Sequence, residues 1–167
     1  MSETIGVGKL KRSYLMHFID ASFGGETPNW FLIGKDIDDM SVDLGPDTSS
    51  VKNVWDETNV QDNGYEPKLS AETYYADTND AIYPKLKQIA MERLTGDDCK
   101  TKILEVIVDK VTGPYEAYQE DALIKPQSYG GAQGGVNIPF EVSFAGNREK
   151  GTATVTDKVP VFTKTTI

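Results

Sequence analysis

Cysteine is almost missing from this chain. Cys99 stands alone, which excludes an intrachain disulfide and leaves packing to hold the fold. A chain of this kind is expected to be made in a reducing cytoplasm. Histidine also occurs once, as His17 in Tyr14-Leu-Met-His-Phe-Ile19, a strand-like run where it reads as a packed or surface residue and not as a base. One Cys and one His cannot supply a zinc site. No apolar run approaches the roughly 20 residues of a membrane span. The start, Met1-Ser-Glu-Thr-Ile-Gly6, has neither a basic cluster nor an apolar stretch, so no secretory signal is expected. Gly130-Gly-Ala-Gln-Gly-Gly135 lacks the Lys-Ser/Thr of a phosphate loop and matches no dinucleotide fingerprint. Cofactors are therefore not expected, and neither is an enzyme.

Basic residues are scarce in one place. Residues 36–80 hold 12 of the 26 acidic residues but only Lys52 and Lys68, a net charge of −10. The rest of the 167-residue chain sums to +1 (15 basic, 14 acidic). With pI near 4.6, phosphate binding by the domain as a whole is disfavoured. An acidic excursion on a near-neutral body fits a surface that repels polyanions or docks on a basic patch; a solvated loop is the plainer reading. Asp36-Ile-Asp-Asp39 hints at calcium, but Met40 and Ser41 occupy places where a calcium loop needs a ligand and a glycine. Asp36 and Asp38 as an acid–base pair find no second motif in support.

What is present is mostly period two. Val136, Ile138, Phe140, Val142 and Phe144 alternate with polar residues, so 136–144 reads as a strand with one wet face; Pro139 marks it as an edge or an irregularity. Met40, Val42 and Leu44 alternate with Asp39, Ser41 and Asp43. Leu104, Val106 and Val108 share a face opposite Glu105 and Asp109. Further strands are expected at 13–19, 30–33, 51–55, 69–75, 115–125 and 152–156. One segment is helical: Ile82, Leu86, Ile89, Ala90 and Leu94 recur at helix spacing between a capping Asp80 or Asn79 and a terminating Gly96. The expected fold is mainly β, a β-sandwich or partly closed barrel with one flanking α-helix, in a single domain over 1–167. It would carry an N-terminal arm (1–12), a long loop (about 45–64) and a C-terminal arm (158–167).

Several ordered stretches add a resemblance. They are Gly8-Lys-Leu-Lys-Arg-Ser-Tyr-Leu15, Trp30 through Asp47, Val51-Lys-Asn-Val-Trp-Asp-Glu-Thr58, Tyr65 through Asp77, the run into Pro84, and Ile138 through Val155. In this order, around a single helix, the chain resembles the major tail tube proteins of long-tailed (siphovirus-type) bacteriophages. The resemblance implies a structural virion protein assembled in the host cytoplasm into stacked, hexameric rings that form the hollow tail tube for viral DNA. It implies as partners other copies of the chain, a tape measure protein, and tail initiator and terminator proteins. DNA would pass through the lumen without specific binding, and no membrane would be involved. A conduit lined by carboxylates does not exchange with condensed counterions and so does not retain the polymer. Candidate lumen faces are Asp39, Ser41 and Asp43, or Glu105 with Asp109, or Glu116 with Glu120. The 46–64 loop is the expected stacking element, with Trp55 as apolar anchor and Asp47, Val51, Asp56, Glu57, Asp62 and Tyr65 around it. Its expected counterparts on the next ring are Lys9, Lys11, Arg12 and Arg148, with Phe162 on the terminal arm. The competing reading is a monomeric β-sandwich binding module, carbohydrate-binding or adhesin-like, which has no need of a concentrated acidic segment.

Overall fold

The computed structural model describes residues 8–35, 37 and 39–165. Asp36 and Asp38, considered above as an acid–base or calcium pair, lie outside the described residues, as do the outer parts of both expected arms. The strands are β1 (Leu15–Asp20), β2 (Trp30–Leu32), β3 (Val42–Asp43), β4 (Pro46–Lys52), β5 (Thr58–Tyr65), β6 (Lys68–Ala71), β7 (Lys100–Ile107), β8 (Tyr115–Pro126), β9 (Phe140–Thr156) and β10 (Val159–Lys164). The helix, α1, spans Tyr83–Glu92. Eight strands form one antiparallel sheet in the order β2-β1-β7-β8-β9-β6-β3, with β10 also on β9; β4 and β5 form a separate two-stranded sheet. The sheet does not close into a barrel.

Strand register sorts the apolar residues into two cores on opposite faces. Ile19, Ile103, Ile124, Val142 and Leu69 point to one face, where Ile82 and Leu86 at and beyond the start of α1 cover them. Phe18, Leu104, Val106, Ala117 and Ala153 point to the other, packed with Trp30, Leu32 and Phe162. The helical stripe therefore does what its spacing predicts: Ile82, Leu86 and Ile89 are buried. The helix is shorter than its pattern. Pro84 sits within its first turn, and Arg93 ends it in the left-handed region with its N–H on the Ile89 carbonyl. Asp80 does not cap; it accepts a hydrogen bond from the Tyr74 hydroxyl at 2.9 Å. Burial, with Asp80 as acceptor and as a nearby charge, pushes the Tyr74 phenol well above its ordinary range.

Three segments differ from the sequence reading. Residues 136–144 and 152–156, read as two strands, belong largely to the single strand β9, which starts only at Phe140. Pro139 lacks a ladder donor, and Asn137 before it makes only isolated bridges, to Tyr75 and Gly130. Gly146-Asn147 looks like a turn but is an irregularity inside β9: Asp121 pairs with Gly146, while Ala122 pairs with Phe144. The second difference is the long loop, which is a hairpin and not irregular chain: Pro46 pairs with Tyr65, and Lys52 with Thr58. At its foot Glu66 N–H reaches the Leu44 and Gly45 carbonyls. Gly45 has φ +53° there, and a side-chain carbon on it would meet the Glu66 carbonyl at 2.7 Å, so glycine is required.

The third is the C-terminal segment. Residues 159–164 of the expected free arm lie on β9 as β10, after a two-residue connection in which Asp157 and Lys158 both have positive φ. Phe162 packs into the second core. Gly151 makes this possible, because a side-chain carbon there would run into the Thr163 carbonyl and come within 2.7 Å of the Phe162 ring. Gly151→Ala is expected to lift β10 off β9 and cost about 1–3 kcal/mol. Hydrogen exchange checks it: residues 159–164 lose protection while β7 and β8 keep theirs.

Candidate assembly surfaces

The β4–β5 hairpin is exposed along nearly its whole length. No residue of either strand is buried, and only Gly64 is even half-buried. Its faces carry Thr48, Ser50 and Val60 on one side and Ser49, Val51 and Gln61 on the other, so neither is an apolar face that could dock on its own body. An isolated two-stranded hairpin is marginal in water. The tip is nonetheless well defined. The Asn53 side-chain oxygen accepts from the backbone N–H groups of Trp55 (2.9 Å) and Glu57 (3.0 Å). This tight tip holds Val54 at 94% exposure and Trp55 at 78%. Asp47, Asp56, Glu57 and Asp62 flank them against one lysine, Lys52. Val51 and Tyr65 are exposed as well.

The acidic candidates fall on opposite faces of the sheet. In β3, Asp43 lies opposite Lys68 and shares the outward face with Glu141, Asp121, Lys100 and Lys102. Asp39, Ser41 and Asp43 are exposed while Met40 is buried, as the alternation predicts; Leu44 departs from it at 54% exposure. The lysines of this face have carboxylate neighbours: Lys68 has Glu141 at 3.8 Å, Lys100 has Asp97 at 2.8 Å, and Lys102 is the cross-strand partner of Asp121. The Lys100 ammonium and hydrogen bond hold the Asp97 carboxyl below its ordinary range.

Glu105, Glu116 and Glu120 point to the other face and do not stand free. Arg148 Nη1 donates to Glu105 at 2.8 Å and to Glu120 at 3.0 Å, and its guanidinium stacks over Tyr118. Glu120 also accepts from Gly146 N–H at 3.2 Å. His17, fully buried, meets Glu105 through Nε2 at 3.2 Å. A carboxylate cannot donate, so Nε2 carries a proton, and Nδ1 has no partner among the described residues. Burial alone pushes the Glu105 carboxyl up, but hydrogen bonds and charge from His17 and Arg148 outweigh it and hold the group below the usual carboxylate range. Glu116 accepts from the Tyr118 hydroxyl and has Lys150 at 3.8 Å. Asp109 is exposed beyond the end of β7.

The basic candidates are distributed differently from the sequence reading. Arg148, expected to reach another ring, is engaged within its own subunit. Arg12 donates to the Leu15 and Met40 carbonyls at 2.7 and 2.8 Å, which ties the N-terminal segment to the strand entry. Lys9 and Lys11 are exposed. Beside Arg12 opens a cleft of about 570 Å³ between the hairpin foot and the Arg148 cluster. Sequence reasoning missed both the cluster and the cleft. Glu105 and Glu120 lie 43 and 28 residues from Arg148, and no local pattern links them.

Solved structures share this architecture. One is the tail of an empty GTA particle, refined with C6 symmetry: 14% identity, TM-score 0.58, covering 84% of this chain and 97% of that one. Another is the SPP1 tail tube: 15% identity, TM-score 0.58, covering 85% of this chain and 78% of that one. The fold is that of a tail tube subunit. No protein-family model matches the sequence, and no curated protein matches it.

Proposed function

We propose that this chain is the subunit of a viral tail tube, a structural protein without chemistry of its own. Copies form rings, six to a ring, and the rings stack into a hollow conduit that delivers viral DNA. The observation that carries this reading is the exposed β4–β5 hairpin on a tail tube fold: a well-ordered tip presents Val54 and Trp55 to solvent. Such a tip is stabilised by burial against another copy, and its acidic flanks set register more than affinity. The partners are further copies, a tape measure protein, and tail initiator and terminator proteins; the location is the virion tail, assembled in the host cytoplasm.

The bore is the outward sheet face that carries Asp43, with exposed Asp39 in the segment leading to it. On that face Lys68, Lys100 and Lys102 each have a carboxylate neighbour, which weakens their exchange with the counterions of DNA, and Asp43 adds a further negative charge. Screening confines the repulsion to about 8 Å from the wall at physiological salt. Glu105 and Glu120 are less suited to this role, since they are largely buried and Arg148 offsets one of their two charges. Replacing Asp39 and Asp43 with Lys is expected to leave tubes intact but slow DNA release, most at low salt, with recovery as salt rises. Time-resolved release from particles carrying the double variant reads this. Release at the unmodified rate at every salt concentration removes this face from the bore.

The assembly itself is tested by negative-stain microscopy of the purified chain at rising concentration. Regular hollow filaments are expected. A monomer that binds a glycan and never polymerises would favour the binding-module reading.

A further inference from the structure

We propose that the cleft beside Arg12 is the receptor for the hairpin tip of a second copy, with Trp55 as the inserted side chain. This rests on the tube reading and names the contact within it. The cleft has apolar walls, including Leu15, Val42 and Phe144, and a floor formed by His17, Glu105 and Glu120. At about 570 Å³ it is in the size range of pockets that enclose small molecules, ample for an indole.

The floor is rich in acceptors. Each Glu105 and Glu120 oxygen has one partner and a second lone pair. The fitting guest is therefore an apolar body with a single donor and no acceptor, which among side chains describes tryptophan. Trp55 is the tryptophan held out in solvent, whereas Trp30 packs in the second core. Charge agrees: Asp56 and Glu57 beside Trp55 would meet a rim that carries Arg12, with Lys9 and Lys11 just before it in the chain.

The guest must come from another copy. Leu44 and Tyr65, at the foot of the hairpin, line the cleft themselves. From the Pro46–Tyr65 pair to the Lys52–Thr58 pair the strands run about 20 Å at ~3.4 Å per residue, so the tip points away from its own cleft by that length. A tip and a receptor at different places on one chain make a head-to-tail contact, which propagates from copy to copy.

Two measurements test it. A Trp30→Phe chain reports Trp55 fluorescence alone. On assembly the emission is expected to shift to the blue and to lose accessibility to acrylamide. A Val54→Cys, Leu44→Cys chain, oxidised after assembly, is expected to give a ladder of covalent oligomers that neither single variant gives; Cys99 is buried and does not compete. Filaments in which Trp55 stays quenchable, or which yield no ladder, overturn the receptor assignment and leave the tube reading standing. Failure of the unmodified chain to form filaments at any concentration overturns both.

Discussion

Excising residues 47–64 and joining Pro46 to Tyr65 through an Asn-Gly turn yields, on this account, a folded monomer that builds no tubes. Pro46 and Tyr65 are cross-strand partners, so their ends lie close enough for a two-residue connection, and Asn-Gly supplies the positive φ angles such a turn requires. The excised strands contain no buried residue, so neither core loses a contact. The thermal midpoint of the monomer should move by only a few degrees. What disappears is the surface that has no function within one subunit: an acidic hairpin with an apolar tip. A single substitution, Trp55→Ala, is expected to act in the same direction by at least about 2 kcal/mol per contact, roughly a 30-fold rise in the concentration needed to assemble. Sedimentation with negative-stain microscopy checks both. Long tubes from the excised chain would mean that the hairpin does not join copies.

The second large effect concerns stability. Arg148→Ala leaves Glu105 and Glu120 facing each other across β7 and β8 with no cation between them. Breaking a buried pair by removing one partner costs about 3–5 kcal/mol; the Arg148 side chain is 41% exposed, so water relieves part of it and about 2–3 kcal/mol is expected. For a chain of this size that lowers the thermal midpoint by roughly 5–10 °C. The pH dependence carries the signature. In the unmodified chain the Glu105 carboxyl titrates below its unfolded value of 4.5, so its contribution is present above that pH and lost as pH falls through the depressed folded value. In the variant, two uncompensated carboxylates gain by taking up a proton, so mild acid should raise its midpoint relative to the unmodified chain. Adding Glu105→Gln and Glu120→Gln to Arg148→Ala should recover most of the loss at neutral pH. A loss of the same size at every pH, unrelieved by the two amides, would mean that Arg148 acts through packing on Tyr118 instead.

The parts of this fold governed by burial were legible in the sequence. Ile82, Leu86 and Ile89 announced a helix with one covered face, and Leu104, Val106 and Val108 announced a strand. Both patterns exist because one side of each element excludes water. The hairpin was illegible as a hairpin for the converse reason. Thr48-Ser-Ser50 and Asn59-Val-Gln61 bury nothing, so no period marks them, and Asp62-Asn-Gly64, whose composition favours a turn, lies inside β5. The continuity of β9 was hidden by Gly146-Asn147, which absorbs a register shift and does not reverse the chain. The acidic pattern was only half informative. Asp39, Ser41 and Asp43 are exposed as their alternation requires, whereas Glu105 and Glu120 are folded around Arg148, a partner that only the long-range strand order could reveal. The same limit applies to the cleft, which combines residues of six separate segments.

Helical reconstruction of the assembled filament by cryo-electron microscopy tests the central claim most directly. The account predicts a hollow tube in which the 46–65 hairpin is buried on an adjacent copy and Asp39 and Asp43 face the bore. A hairpin that touches no neighbour, or a bore lined instead by the opposite face with Arg148 and Lys150, would contradict it.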